Sequence, residues 1–118
     1  MEFQYKINNS LDNRRSQFTK IKNNHPDGVP VILERAKGCT INKTIKTKYI
    51  LSKELTMAEL VKIIREKLEL SPERAIFLLV DGKHSLTGEG LMAEIYDKFK
   101  DKEDGFLYIT YASEVFYG

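Results

Sequence analysis

The 118 residues predict an α+β chain: a four-stranded β-grasp sheet crossed by one helix, with a short helical arm before it. Three observations carry that prediction. Segments with strand and helix patterning follow one another as arm, strand, strand, helix, strand, helix, strand. The helix between the second and third strands opens on a capping box and carries a single apolar stripe. The closing segment Phe106 to Tyr111 has the aromatic and β-branched composition of a strand.

Ser10 is a helix cap ahead of LDNRRSQFTKIKNN, where Leu11, Phe18 and Ile21 share a face among basic residues. Pro26-Asp27-Gly28 ends that segment with turn chemistry, so residues 1–25 read as the arm and 26–118 as the grasp domain, together one structural unit. Isolated helices this short are marginal in water, so Phe3, Leu11 and Phe18 are expected to dock on the domain. Arg14, Arg15, Lys20 and Lys22 are expected to stay solvated. Val29 to Glu34 is the first strand, with Pro30 at its start where a missing N–H is tolerated. A polar hinge from Ala36 to Thr44 leads to a second strand, Lys46 to Leu51. Thr56-Met57-Ala58-Glu59 is the capping box, and Met57, Leu60, Val61, Ile64 and Leu68 form the stripe of a helix running to about Leu70. Ala75 to Val80 is continuously apolar, as a central strand covered on both faces would be. A second helix is expected near Gly90–Phe99. Two strands, a crossover helix and two more strands describe the ubiquitin-like class.

The length suits one domain, able to bury roughly two thirds of its unfolded surface. The net charge of +2 conceals a basic half, +6 over residues 1–50, and an acidic one, −4 over residues 51–118. A basic half attracts acidic peptides, anionic lipid or nucleic acid. Aromatic residues interleave the arm only at Phe3, Tyr5 and Phe18, a weak stacking platform, so no nucleic acid is expected. The single Cys39 excludes an internal disulfide and suits a reducing cytosol. The polar start MEFQYKINNS is unlike a secretory signal, and the longest apolar stretch, Ala75–Val80, is far short of the roughly 20 residues of a membrane span.

No catalytic residue, metal site or cofactor is expected. Nothing near Cys39 would orient His25 or His84 as a base, and one cysteine with two histidines cannot complete a structural zinc site. Gly88-Glu89-Gly90-Leu91-Met92-Ala93 matches a dinucleotide fingerprint but lacks the preceding strand and the surrounding unit. The acidic run Asp97–Asp104 lacks the ligand spacing of a calcium loop and reads as a solvated helix end.

A subtler signal lies in the Thr56–Leu70 helix. Ile63 falls about a third of a turn off the stripe's centre at 3.6 residues per turn. Leu60 lies at the stripe's edge on the same side, with Lys67 between them in angle. The ordinary reading is a core that wraps further round the helix. The alternative is a pocket for an apolar side chain with an acidic neighbour, beside a strand open to β-strand addition of a peptide.

The stretches Pro26-Asp27 with Val29-Pro30-Val31-Ile32, Lys48-Tyr49, Leu55-Thr56, Ile64-Arg65, Glu103-Asp104-Gly105-Phe106-Leu107-Tyr108 and Tyr117-Gly118 resemble the autophagy-related protein 8 family of ubiquitin-like modifiers, which includes the GABA-receptor-associated protein and microtubule-associated-protein light chain 3 groups. The resemblance spans essentially the whole chain. It implies a non-enzymatic modifier, cytoplasmic before conjugation, joined through Gly118 to phosphatidylethanolamine on forming autophagosomes. It implies activating and conjugating enzymes, a processing and delipidating cysteine protease, and cargo receptors with aromatic-x-x-aliphatic motifs as partners. It implies an aromatic pocket of Gln17, Ile21, Pro30, Ile32, Lys48, Ile50 and Phe106. An aliphatic pocket follows from Tyr49, Leu51, Leu55, Leu60, Ile63 and Lys67, coinciding with the shoulder read from helical spacing. A second docking patch is implied at Ile76, Phe77, Leu78 and Leu79, where a buried strand fits equally well. Gly28 stands where the family usually has a basic residue, and Ser52 replaces a common proline. The rival is an unconjugated ubiquitin-like adaptor in trafficking or cytoskeletal binding.

Overall fold

Ser10 starts the long arm helix by accepting the Asn13 backbone N–H at 3.1 Å. The computed structural model describes residues 3–41, 45–81, 84–85 and 88–113. The arm consists of α1 (Gln4–Asn8) and α2 (Leu11–Asn24). The Glu34 carboxylate accepts the Gln4 and Tyr5 backbone N–H groups, each at 2.8 Å, and so serves the open end of α1 from the sheet.

The sheet is built from β1 (Gly28–Arg35), β2 (Lys48–Ser52), β3 (Phe77–Val80), β4 (His84–Ser85) and β5 (Leu107–Ala112), in the order β2-β1-β5-β3-β4. β1 runs antiparallel to β2, from Gly28 opposite Ser52 to Ile32 opposite Lys48. It runs parallel to β5, from Val31 opposite Leu107 to Arg35 opposite Tyr111. The ubiquitin-like fold is as expected, and the two-residue β4 adds a fifth strand beside the anticipated four. The apolar run before Val80 is not the central strand. β3 alternates half-buried and buried residues, whereas every residue of β5 is buried. The reason is position: β5 lies mid-sheet with cover on both faces, and β3 lies one place from the edge.

α3 (Met57–Leu68) packs on one face. Its stripe residues Met57, Leu60, Ile64 and Leu68 join Val29, Val31, Leu33, Leu107 and Ile109 in the main core. Thr56 and Glu59 form the expected capping box, and those hydrogen bonds hold the Glu59 carboxyl below its usual range. The helix ends on Glu69 in the left-handed region, φ 54°. In the glycine-rich loop, the Gly90 and Gly88 carbonyls accept the Met57 and Ala58 N–H groups at 3.0 and 3.1 Å. α4 (Met92–Phe99) buries Met92 and Ile95 in the same core.

The opposite face carries a smaller cluster of Phe3, Ile32, Phe106 and Tyr108, against which Tyr5, Phe18 and Ile21 pack. Phe3 and Phe18 therefore dock as expected, while Leu11 is half-buried. The Phe18 ring also explains Gly105. That residue has φ +85°, and a Cβ there would stand 2.6 Å from Phe18 Cε1.

Two expectations fail on this face. Arg14 is buried, with its Nε 2.9 Å from Asp104 Oδ2 and one guanidinium nitrogen donating to the Asn9 carbonyl at 2.9 Å. Asp104, expected on a solvated helix end, is also buried. It accepts from Arg14, from the Phe106 N–H at 2.9 Å and from the Tyr108 hydroxyl at 2.5 Å. Helical spacing could not reveal a charge buried on α2, because its partner lies ninety positions away. Arg15 and Lys20 are exposed and Lys22 is half-buried.

Candidate functional site

β2 is one of the sheet's two edge strands, so its outer backbone edge faces no other strand among the described residues. Alternation along it sends side chains to opposite faces. Lys48 and Ile50 go toward α2. Lys48 Nζ donates to Gln17 Oε1 at 2.8 Å, and the Tyr5 hydroxyl donates to the same oxygen at 2.6 Å. Ile50 is 40% exposed. It covers Gly28, where an added Cβ would meet Ile50 Cγ2 at 2.4 Å.

The predicted aromatic-pocket residues divide by exposure. Gln17, Ile21 and Lys48 are half-buried and Ile50 is exposed. Pro30, Ile32 and Phe106 are fully buried. Phe106 is held by ring contacts to Tyr5 and Phe18, with centroids at 5.4 and 5.8 Å.

On the other side of β2, Tyr49, Leu51 and Leu55 pack half-buried against the main core, and Leu60 is buried in it. Ile63 is half-buried and lies outside that core cluster. The ammonium groups of Lys46 and Lys67 stand 5.1 and 5.8 Å from the Tyr49 ring centroid. Among the described residues, the Tyr49 hydroxyl is a buried side-chain polar group without a hydrogen-bond partner. Burial raises its pKa, so it stays a protonated donor. An unpaired buried donor costs about 1–3 kcal/mol.

Of the second predicted patch, Ile76, Phe77 and Leu79 are half-buried and Leu78 is buried. Gly118 lies outside the described residues. A cleft of about 410 Å³ near the start of β2, lined by Tyr5, Asn8, Asn9, Glu34, Arg35 and Thr47 among others, was not foreseen from the sequence. Its walls come from α1, β1, β5 and the segment before β2, and no local pattern joins them. Burial and the Asp104 charge push the Tyr5 hydroxyl up to about 12. Among the described residues, no cluster of three or more His, Cys, Asp and Glu could hold a metal ion. No described helix is long and apolar enough to cross a membrane.

The family model for "Autophagy protein Atg8 ubiquitin like" matches residues 13–118. The chain belongs to the Atg8 family. It is 40% identical to autophagy-related protein 8e of Arabidopsis thaliana over 114 residues, covering 97% of this chain and 92% of that one. Against autophagy-related protein 8 of Mycosarcoma maydis it is 38% identical over 118 residues, covering 100% and 98%. A crystal structure of Trypanosoma brucei ATG8 superposes with a TM-score of 0.88 at 31% identity, covering 100% of both chains. This Atg8-family chain is therefore a ubiquitin-like autophagy protein.

Proposed function

We propose that this chain is conjugated through Gly118 to phosphatidylethanolamine on forming autophagosome membranes and recruits receptors and adaptors there through aromatic-x-x-aliphatic peptides. It is not itself an enzyme in this reading. Its partners are the activating and conjugating enzymes of the ubiquitin-like pathway, a processing and delipidating cysteine protease, and cargo receptors. Residues 1–25 serve as an arm and 26–118 as the grasp domain, acting as one unit.

The observation that carries the peptide reading is β2, an edge strand with an exposed apolar side chain on one side and a half-exposed apolar shoulder on the other. An extended peptide pairs its backbone with such an edge and lays alternate side chains to either side. The aromatic residue would enter over Pro30, Ile32 and Phe106 between Ile21 and Ile50. The aliphatic residue would rest on Tyr49, Leu51, Leu55 and Ile63. Lys46, Lys48 and Lys67 suit acidic residues in the peptide. Ile76, Phe77 and Leu79 offer a second apolar surface, on β3 and the residue before it. The Gly118 assignment is supported by the family, whose model matches through that residue. A lipid with two chains anchors stably where a single chain does not.

Titration with an acidic aromatic-x-x-aliphatic peptide should give micromolar affinity, about −8 kcal/mol. Leu51→Ala should weaken it by about 1–3 kcal/mol through lost pocket wall. Lys48→Glu should weaken acidic peptides more than neutral ones. Equal affinity across wild type and both variants removes the peptide reading. Reconstitution with activating and conjugating enzymes, ATP and amine-lipid vesicles tests the covalent step by mass analysis. Deleting Gly118 should abolish the adduct and leave peptide affinity unchanged. No adduct from the wild-type chain with active enzymes would favour an unconjugated adaptor, and an adduct that forms equally well without Gly118 would remove Gly118 as the point of attachment.

A further inference from the structure

The loop after β1 carries a cluster that the peptide surface does not use. Thr40 is exposed, its Oγ1 accepts from the Arg74 guanidinium, and it lies 3.1 Å from Ser113 Oγ. Arg74 also reaches Ser113 Oγ at 3.5 Å, and Cys39 Sγ lies 3.6 Å from the same oxygen. The Arg74 segment is itself braced, because the Arg65 guanidinium donates to the Arg74 and Ser71 carbonyls. Gly38, at φ +82°, turns the loop outward, and the chain reads Arg35-Ala36-Lys37-Gly38-Cys39-Thr40. Cations therefore precede the hydroxyl by five and by three residues.

We propose that Thr40 is a phosphorylation site for a serine/threonine kinase selecting upstream basic residues, with the Arg74 guanidinium as receptor for the resulting phosphate. The kinase would move the γ-phosphoryl group of ATP to Thr40 Oγ1. A bond from Oγ1 to phosphorus forms, the bond to the β–γ bridging oxygen breaks, the hydroxyl proton passes to the kinase's base, and ADP leaves. The product carries about −1.5 to −2 charges at pH 7 and three strong acceptor oxygens. A guanidinium already in hydrogen-bond contact binds such a group with paired, charge-assisted bonds.

A lysine three residues before a threonine occurs also at Lys53 and Thr56, which makes an internal control. Thr56 Oγ1 bonds Glu59 Oε1 at 3.0 Å and accepts the Glu59 N–H, so a phosphate there would face a carboxylate and destroy the helix cap. Thr40 faces a cation instead. The site also has a consequence, which rests on the conjugation reading above. Ser113 directly precedes residues 114–118, and a phosphate that claims Arg74 takes a partner from Ser113 and crowds its hydroxyl. Phosphorylation at Thr40 would thereby change the rate at which Gly118 is conjugated.

The test has three arms on the full chain. Incubation with ATP and a kinase requiring a basic residue at minus three, shown active on a peptide of residues 33–45, should place phosphate on Thr40 and not on Thr56. Its absence from Thr40 overturns the acceptor assignment. Phosphothreonine is then genetically encoded at position 40 and titrated by phosphorus NMR. The second phosphate pKa, about 6 when free, should fall by about one pH unit beside the guanidinium and recover in Arg74→Gln. The same titration in both proteins overturns the receptor assignment. In the reconstituted conjugation reaction, an unchanged rate for the phosphorylated chain overturns only the tail consequence. No adduct from the unmodified chain overturns the conjugation reading and leaves the Thr40 site to the first two arms.

Discussion

The two faces of the sheet are held by different physics. Toward α3, the core is aliphatic and large, built from side chains whose positions repeat with helix or strand period. Toward the arm, four buried residues and three partly buried ones surround an Arg14–Asp104–Tyr108 network, with the Lys6–Asp101 pair at 2.5 Å at its margin. Burial is the first reason that the Tyr108 hydroxyl is pushed upward, and its hydrogen bond to Asp104 adds to this. An aliphatic core loses a little with each deleted methylene, because dispersion and transfer terms are many and small. A buried ion pair is all or nothing, since removing one partner strands the other in a medium that penalises charge. The arm side should thus be brittle and the α3 side tolerant.

The largest effect expected is from Arg14→Ala. It leaves the Asp104 carboxylate buried with its cation gone, at a cost of about 3–5 kcal/mol. Denaturant titration reads the loss, and amide exchange should show α1 and α2 deprotected before α3. Loss spread evenly over both faces would break the comparison.

Gly105→Ala should cost about 1–3 kcal/mol, through strain at positive φ and the collision with the Phe18 ring. Paired with Phe18→Ala, the steric part should disappear while the backbone part remains. A double variant whose loss is simply additive would show that the ring is not what forbids a side chain there.

On the tolerant face, Ile64→Val should cost only about 0.5–1.5 kcal/mol, although the residue is 1% exposed. A loss as large as that of Arg14→Ala would erase the distinction between the faces.

The smallest effect is in acid. Burial acts to raise the Asp101 pKa, but the Lys6 ammonium and the Asp104 and Glu103 N–H groups outweigh it and hold the carboxyl below its usual value. The unfolded chain therefore binds the proton more readily, so the group's contribution is present above the unfolded carboxylate range and is lost as pH falls through the folded pKa. Melting curves should show this acid loss shrink in Asp101→Asn. An unchanged pH profile in that variant would remove Asp101 from the arm's attachment.

Periodicity made the α3 face legible. Thr56 to Leu68 announces its cap, stripe and shoulder through residues within a few positions of each other, and Ile63 stands where helical spacing placed it. The arm's apolar contacts were legible in part, because Phe3 and Phe18 are large aromatic residues in a basic segment. Arg14 was not, since one arginine among neighbouring basic residues looks the same whether solvated or buried. Nor was the coverage of β3, because a run of apolar residues does not say which strand takes the middle of the sheet. In the candidate site, residue identities were available from the resemblance. Their division into accessible Gln17, Ile21, Lys48 and Ile50 and fully buried Pro30, Ile32 and Phe106 was not.

By itself the sequence determined the α+β class, the element order, the Thr56 cap, the apolar face of α3 and the family, since each is written in neighbouring residues or in whole-chain similarity. Only the tertiary structure decided the pairing of Arg14 with Asp104, the service of α1 by Glu34, the central place of β5 and the meeting of Thr40, Arg74 and Ser113. Those are contacts between residues far apart in the chain. Side-chain periodicity reports which way a residue faces, and carries no information about what will be there to meet it.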